Sequence, residues 1–239
     1  MKIKFLGVGA ALNTDSIGSS ILVDDTVLID VPPASPMQLL KHGVDIKNIK
    51  HIFVSHLHGD HYCGLPFLLL EYLVVKRDDP LYVYGSDALR SNTIKLLKLA
   101  FEDCDPENLI SSSNSTFRRL LLSDKVNTEG FNVIPVTAKH SIETFGFKLI
   151  EPHKTIYYSS DTEFTDDTRL HIEDSDIIII DATTRGMALP GHIDLNKIIE
   201  CAQQYSEKVF FITHRSRYYY DDVTVANIVF PDDGDEFSL

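Results

Sequence analysis

Two periodicities of hydrophobic and polar residues alternate along the chain, one typical of strands and one typical of helices. In the first quarter, short apolar runs rich in β-branched residues are separated by turns, which predicts strands. These strands cover residues 3–6, 20–23, 27–29 and 52–54. A helix is predicted at 36–42, and a second helix from Ser86, which is a plausible N-cap, because apolar residues follow it at near-helical spacing.

The same alternation continues through the second half of the chain. Further strands are predicted at residues 131–136, 148–150, 156–159, 177–180 and 209–213. The run 177–180 is almost wholly apolar, as in strands covered on both faces. Asp194 can cap another helix, and the polar stretch 110–116 is predicted to be a loop. Because strands and helices intermix throughout, the fold class is α/β with two β-rich halves.

The composition does not change the predicted fold class. The chain has 239 residues, of which 44% are hydrophobic and 24% charged, so it can bury a sizeable core. No long linker interrupts it, which favours a single domain over residues 1–239. No apolar run approaches the roughly 20 residues that cross a bilayer, and the N-terminal segment is a poor signal peptide. A cytoplasmic protein without a membrane partner is the expectation.

The charge balance and the cysteines exclude several function classes. The net charge of −13 repels polyanions over most of the surface, which disfavours non-specific nucleic-acid binding. The three cysteines show no CxxC spacing, so neither a disulfide framework nor a thiolate zinc site is indicated. They fit a reducing compartment.

The segment HLHGDH, residues 56–61, carries the strongest chemical signal, because it places three histidines and an aspartate directly after an apolar strand. Zinc favours imidazole and carboxylate ligands. His56 and His58 are two positions apart, so an extended backbone points both to one side. Asp60 and His61 follow a glycine turn. Four ligands from one loop cannot easily close on one ion, so two adjacent ions are predicted.

This motif resembles the HxHxDH signature of the metallo-β-lactamase superfamily. The resemblance extends over residues 2 to about 218, since later ligands follow in order, each at a strand end: His140 in VTAKHS, Asp161 in YYSSDT and His214 in FITHRS. It implies an αββα sandwich, with two mixed β-sheets flanked by helices and the site at one edge.

The resemblance also implies a ligand set for two zinc ions, with manganese or iron(II) as alternative cofactors. His56, His58 and His140 hold one ion by this analogy. Asp60, His61 and His214 hold the other, and Asp161 bridges the two.

Two further patches are similar to ribonuclease Z, the tRNA 3′-processing endonuclease of this superfamily. They are HLHGDHYCGLPFLL and the segment from DATTRGM to HRSRYY. By this resemblance His192 is the catalytic histidine, and Asp181 replaces the usual glutamate. Zinc lowers the pKa of its bound water to about 7, which supplies hydroxide. His192 can then protonate the departing alkoxide while Asp181 holds its tautomer, and we count Asp60 with them among the catalytic residues.

The chain departs from ribonuclease Z in three places. Too few residues separate His140 from Asp161 for the long arm that grips tRNA, and they suffice only for two strands and a turn. The usual glycine after Asp30 is missing. The segment THRSRYY is one residue short, which leaves open the placement of Arg217 and Tyr218. The role of the run Tyr218 to Tyr220 is open as well.

The leading hypothesis is a dinuclear zinc phosphodiesterase that acts on a small molecule or a short nucleotide phosphodiester. One alternative is a lactonase or thioesterase of the same fold, because the same site serves carbonyl substrates. Another is a true tRNA-processing endonuclease, for which RNA would be a possible but disfavoured partner. A nucleic-acid-binding or scaffold protein with a structural metal is a third class. A homodimer is a further expectation, since relatives commonly form one.

Overall fold

The computed structural model describes residues 1–216 and 223–239. Arg217 and the tyrosines at 218–220 therefore lie outside the described residues. The chain forms two compact units: unit 1 comprises Met1–Gly7, Ile17–Leu120 and Asp233–Leu239, and unit 2 comprises Val8–Ser16 and Leu121–Asp232. The assignment of residues 1–239 to a single domain stays a prediction.

Unit 1 contains a mixed seven-stranded sheet. In chain order its strands are β1 (Lys2–Gly7), β2 (Ser20–Val23), β3 (Val27–Ile29), β4 (His51–Phe53), β5 (Leu81–Gly85), β6 (Ser115–Arg119) and β14 (Glu236–Ser238). The spatial order is β14-β1-β2-β3-β4-β5-β6. Strands β14 to β3 pair antiparallel and β3 to β6 pair parallel. The parallel half brings the carboxyl ends of β3 and β4 to one edge.

Helices cover one face of this sheet. They are α1 (Ser35–Lys41), α2 (Gly59–Tyr62), α3 (Leu65–Val74), α4 (Leu89–Ala100) and α5 (Pro106–Ser112). Leu68, Leu69 and Tyr72 of α3 are fully buried in a core cluster with Ile52 and Val83 of the central strands. Burying such side chains contributes about 1.5–3 kcal/mol each, which fixes the loop before α3 on the sheet.

Unit 2 also contains a mixed seven-stranded sheet. Its strands are β7 (Val126–Asn127), β8 (Asn132–Thr137), β9 (Phe145–Glu151), β10 (Lys154–Tyr158), β11 (Ile177–Asp181), β12 (Val209–Thr213) and β13 (Ile228–Val229). They lie in the order β13-β12-β11-β10-β9-β8-β7, antiparallel from β7 to β10 and parallel from β10 to β13. The carboxyl ends of β10, β11 and β12 therefore meet at one edge.

Two helices, α6 (Asp166–Glu173) and α7 (Leu195–Gln204), pack on the second sheet. Ile198 and Ala202 of α7 are fully buried with Ile178 and Ile212 of the sheet. Asp194 caps α7, as predicted, by accepting a hydrogen bond from the backbone N–H of Asn196. The predicted mixed sheets flanked by helices are confirmed.

Two local predictions differ from the structure. The stretch 110–116 is not a loop throughout, because α5 extends to Ser112 and β6 begins at Ser115. The side chain of Asp105 caps α5. Strand β6 lies at the edge of the sheet, where it pairs with β5 through backbone groups although its own side chains are mostly polar. The helix expected from Ser86 begins at Leu89, where no side chain caps it.

Within residues 1–216 and 223–239, no helix combines the length and the apolar character needed to cross a bilayer.

Candidate metal centre

In unit 1 the predicted ligands lie where strand β4 ends. His56 and His58 follow the strand in an extended loop, and Asp60 and His61 belong to the short helix α2. His56 and His61 are fully buried, while the Asp60 side chain is one-fifth exposed. The structure thus groups the four side chains of the motif at the carboxyl edge of the parallel strands.

A buried aspartate organises these histidines. Asp30 follows β3, adopts a left-handed backbone (φ 59°) and accepts hydrogen bonds from the backbone N–H and hydroxyl of Ser55, at 2.7 and 2.8 Å. A carboxylate only accepts, so His61 donates its Nδ1–H to Asp30 at 2.9 Å. The Ser55 hydroxyl, which donates to Asp30, accepts from Nδ1 of His56 at 3.0 Å. Both histidines therefore keep Nε2 for a ligand.

The spacing of His56 and His58 fits a shared metal ion. Nε2 of His56 and Nδ1 of His58 lie 3.1 Å apart. A tetrahedral zinc ion with Zn–N distances of about 2.0–2.1 Å places two nitrogen ligands about 3.3 Å apart. His61 Nε2 and Asp60 Oδ2 are separated by 3.6 Å. The donor set and the oriented rings suit a divalent cation better than isolated structural histidines.

In unit 2 the predicted residues also lie at strand ends. Asp161 and His214 come just after β10 and β12, Asp181 is the last residue of β11, and His140 follows β8. Asp161 Oδ2 is 3.3 Å from Nε2 of His214 and 3.9 Å from Nε2 of His140. One carboxylate oxygen thus lies near two imidazole nitrogens, which is the placement that a bridging ligand needs.

The ring of His140 is oriented by the loop before α7. Its Nδ1–H donates to the carbonyl of Gly191 at 2.9 Å, which leaves Nε2 on the side of Asp161. Gly191 is held in turn by Glu163, which accepts its backbone N–H at 3.1 Å. Such second hydrogen bonds set the tautomer of metal-ligating histidines.

Thr183 links the remaining groups of unit 2. Its hydroxyl lies 2.7 Å from Oδ1 of Asp181 and 2.7 Å from Nδ1 of His214. Because the carboxylate can only accept, the hydroxyl donates to Asp181 and accepts from His214. His214 therefore keeps Nε2, the atom nearest Asp161, without a proton.

Asp181 also holds His192. Nδ1 of His192 lies 3.0 Å from Oδ2 of Asp181, and the rings of His192 and His214 stack at 5.1 Å. Burial alone would raise the pKa of Asp181, but hydrogen bonds from His192 and His214 hold it below its ordinary value. The aspartate thus stays an anion, able to stabilise a positive charge on either ring.

The exposure of the histidines separates their roles. The His192 side chain is 14% exposed, against 4% for His140 and 5% for His214. Asp161, Asp181, His192 and His214 offer ligand atoms within 4.8 Å of one another, a spacing that suits a cation. Nδ1 of His192 is already bonded to Asp181, however, so Nε2 is the ring nitrogen that can meet a ligand.

Sequence reasoning missed three organising residues. The sequence pattern gives Asp30 no significance beyond the glycine missing after it, and it gives no role to Ser55 or Thr183. Asp30 ends the predicted strand that precedes the strand of the HLHGDH motif. Because neighbouring parallel strands end at the same edge of a sheet, this position indicates that Asp30 lies near the motif. The role of Thr183 depends on its contacts with His192 and His214, which no spacing in the chain reveals.

Comparison with known proteins gives a family match over nearly the whole chain. The family model described as "Anti-Pycsar protein Apyc1" matches residues 1–233. The ribonuclease Z of Methanosarcina mazei is 24% identical over 275 residues, an alignment that covers 93% of this chain and 90% of that protein.

Two solved structures show the same fold. The metallo-β-lactamase fold protein YhfI from Bacillus subtilis superposes with a TM-score of 0.79 at 16% identity, covering 99% of this chain and 98% of that one. A diphosphatase from the PhnP family superposes with a TM-score of 0.74 at 21% identity, covering 100% and 97%. The two superpositions confirm the predicted fold. The ribonuclease Z alignment supports the predicted superfamily branch and enzyme class, a metal-dependent hydrolase.

Proposed function

The chain belongs to the family of the anti-Pycsar protein Apyc1, and we propose from this premise that it hydrolyses a small or short phosphodiester with two bound zinc ions. The relatives support the class of reaction, since one is named a ribonuclease Z and another a diphosphatase. The single observation that carries the proposal is the His192–Asp181 pair, placed beside a set of imidazole and carboxylate ligands.

The ligand assignment of the proposal follows the superfamily resemblance. Zinc, once bound, would polarise a phosphoryl oxygen and provide a water-derived nucleophile at neutral pH. The donor residues fit it because their second nitrogens or neighbouring oxygens are hydrogen-bonded within the protein. The proposed ligands are His56, His58 and His140 for one ion, Asp60, His61 and His214 for the other, and Asp161 for both.

In the proposed reaction, the side chain of His192 supplies the proton that the leaving group needs. The carboxylate of Asp181 at 3.0 Å stabilises the doubly protonated ring of His192. His192 can then donate the Nε2 proton to the oxygen that leaves the phosphorus atom. Acid catalysis of this kind is worth about 10²- to 10⁴-fold in rate. Thr183 keeps Asp181 aligned, so it supports the same transfer indirectly.

The proposed substrate is small for two physical reasons. The net charge of −13 opposes a polyanion, whose binding depends on many cationic contacts to phosphates. The span between His140 and Asp161 is filled by β9 and β10, which pair antiparallel through a short turn. Both features support a ligand with a single phosphodiester over a folded RNA.

Turnover of bis(p-nitrophenyl) phosphate by zinc- or manganese-loaded protein tests the proposal. We expect hydrolysis by the native chain and its loss in Asp161→Asn, purified in parallel to exclude a contaminating phosphodiesterase. Cyclic nucleotides, precursor tRNA, lactones and thioesters complete the panel. If metal-loaded protein hydrolyses lactones or thioesters far faster than any phosphodiester, the proposal is wrong and the carbonyl alternative holds.

A further inference from the structure

Glu163, in the loop after β10, contacts the two loops that carry His140 and His192. Its Oε1 accepts the backbone N–H of Gly191 at 3.1 Å, and its Oε2 lies 2.6 Å from the ammonium of Lys139. Lys139 directly precedes His140 in the sequence. Gly191 directly precedes His192 in the same way. One carboxylate therefore links the loop after β10 to the loop after β8 and to the loop before α7.

The backbone of Glu163 is itself held in place. Its N–H donates to the carbonyl of Lys139 at 2.9 Å, and its carbonyl accepts the hydroxyl of Thr168 at 3.0 Å. Thr168 belongs to the first turn of α6, where it forms a capping box with Thr165. A side chain on a backbone bonded at both polar groups has less conformational freedom to lose than one on a free loop. The carboxylate is therefore pre-positioned for its contact with Gly191.

The contact with Gly191 acts on two side chains at once. The carbonyl of Gly191 accepts the Nδ1–H of His140 at 2.9 Å, so a displaced Gly191 no longer fixes the tautomer of that ring. His192 follows Gly191 in the chain, so the same displacement moves its ring relative to Asp181, 3.0 Å away. Such precision matters, since a misplacement of about 1 Å can cost roughly 10²-fold in rate.

The hydrogen bond to Gly191, rather than the ion pair, is responsible for this effect. The side chain of Lys139 is 64% exposed and that of Glu163 34%, and ion pairs so accessible to water contribute little. A backbone N–H forms a stronger hydrogen bond with a carboxylate than with a neutral oxygen. Lys139 therefore has the lesser part, which is to bind the second carboxylate oxygen.

We propose that Glu163 is a positioning residue that fixes the tautomer of His140 and the location of His192 through the backbone of Gly191. The inference rests on the proposed function, in which His140 is a metal ligand and His192 donates the proton. Loss of such a support costs about 10- to 100-fold in metal affinity or activity. Glu163→Ala should lose this much, and Glu163→Gln, which keeps an oxygen for the Gly191 N–H, should lose less.

Kinetics at saturating zinc test the effect on His192. Glu163→Ala should slow hydrolysis of an alkyl diester about tenfold more than that of a p-nitrophenyl diester, because only the alkoxide needs the proton. The double variant Lys139→Glu with Glu163→Lys keeps an ion pair but places an ammonium, which cannot accept a hydrogen bond, at the N–H of Gly191. It should therefore behave like Glu163→Ala.

Glu200→Ala is the matched control for these variants. Glu200 also forms an ion pair at 2.6 Å, with Lys197, and its side chain is exposed on α7. Loss of this pair should leave both rates and the zinc affinity at native values. The control separates the role of Glu163 from the general effect of removing one carboxylate from unit 2.

Proton NMR of the zinc-treated chain with ¹⁵N-labelled histidine tests the effect on His140 without turnover. Its Nδ1–H should be protected from exchange with water in the native chain and in Glu200→Ala, and lost to exchange in Glu163→Ala. If no phosphodiester is hydrolysed but this signal changes as expected, only the proposed function fails. A native signal and native leaving-group dependence in Glu163→Ala, or recovery of both in the charge-swapped variant, would overturn the positioning role.

Discussion

At His192, the hydrogen bond from Nδ1 to Asp181 decides which ring nitrogen is left for the substrate. A general acid matters most when the leaving oxygen is strongly basic. We therefore expect His192→Ala to slow hydrolysis about 10²- to 10⁴-fold for a diester with an alkyl leaving group. The loss should be much smaller for p-nitrophenolate, which leaves without a proton.

Steady-state kinetics on a paired alkyl and p-nitrophenyl diester, together with the metal content of each preparation, checks this role. Equal losses for the two leaving groups would show that His192 does not act as an acid. A loss of bound metal in the variant would assign His192 to the ligand set instead.

Thr183 provides a second residue-scale test, because one hydroxyl serves both Asp181 and His214. Thr183→Val keeps the shape but removes the hydrogen bonds. Loss of such a support costs about 10- to 100-fold in metal affinity. Competition with a chromophoric chelator should show this loss in Thr183→Val and near-native affinity in Thr183→Ser. Equal affinities in the two variants would contradict the proposed support.

At the scale of elements, the loop before α7 depends on Gly191. Its φ is +84°, and a Cβ there would lie 2.4 Å from Nδ1 of His140. Gly191→Ala should therefore displace His140 and weaken metal binding and turnover by more than tenfold, beyond a backbone strain of about 1–3 kcal/mol. Gly43→Ala is the control, since Gly43 has φ +66° with nothing within 4 Å of the added carbon. Similar losses of metal in both variants would refute the steric explanation.

Helix α3 makes the stability of unit 1 depend on pH. Burial raises the pKa of Tyr72 above its ordinary value, so the folded state favours the neutral phenol. This stability is fully present below the unfolded pKa of about 10 and is lost as the pH rises further. The slope approaches 1.4 kcal/mol for each pH unit, in a range of about 10 to 12. Urea unfolding at rising pH should show a shallower decline in Tyr72→Phe, and an unchanged decline would contradict the assignment.

The elements show where sequence patterns suffice. The apolar run 177–180 and the cap at Asp194 depend on local composition, and both are confirmed by β11 and α7. Strand β6 escaped prediction because its polar residues are held by backbone pairing with β5 at a sheet edge. Thr183 and Ser55 escaped because their roles arise only when distant residues meet, which periodicity does not encode.

For the whole molecule, each unit joins an antiparallel to a parallel set of strands, and most candidate residues lie at the carboxyl ends of parallel strands. The exceptions are His140, which follows the antiparallel strand β8, and His192, which lies in the loop before α7. The HLHGDH motif predicted this placement for unit 1. For unit 2 the prediction came from the superfamily resemblance, because His140, Asp161 and His214 are single residues far apart in the sequence. The assignment of these ligands to two ions is the central claim.

Diffraction from crystals grown with zinc, measured on both sides of the zinc absorption edge, tests that claim most directly. We expect two anomalous peaks per chain, one coordinated by His56, His58 and His140, the other by Asp60, His61 and His214. Asp161 should contact both peaks. Well-ordered crystals of zinc-treated protein with no peak at these residues, or with zinc bound only elsewhere, would contradict the account.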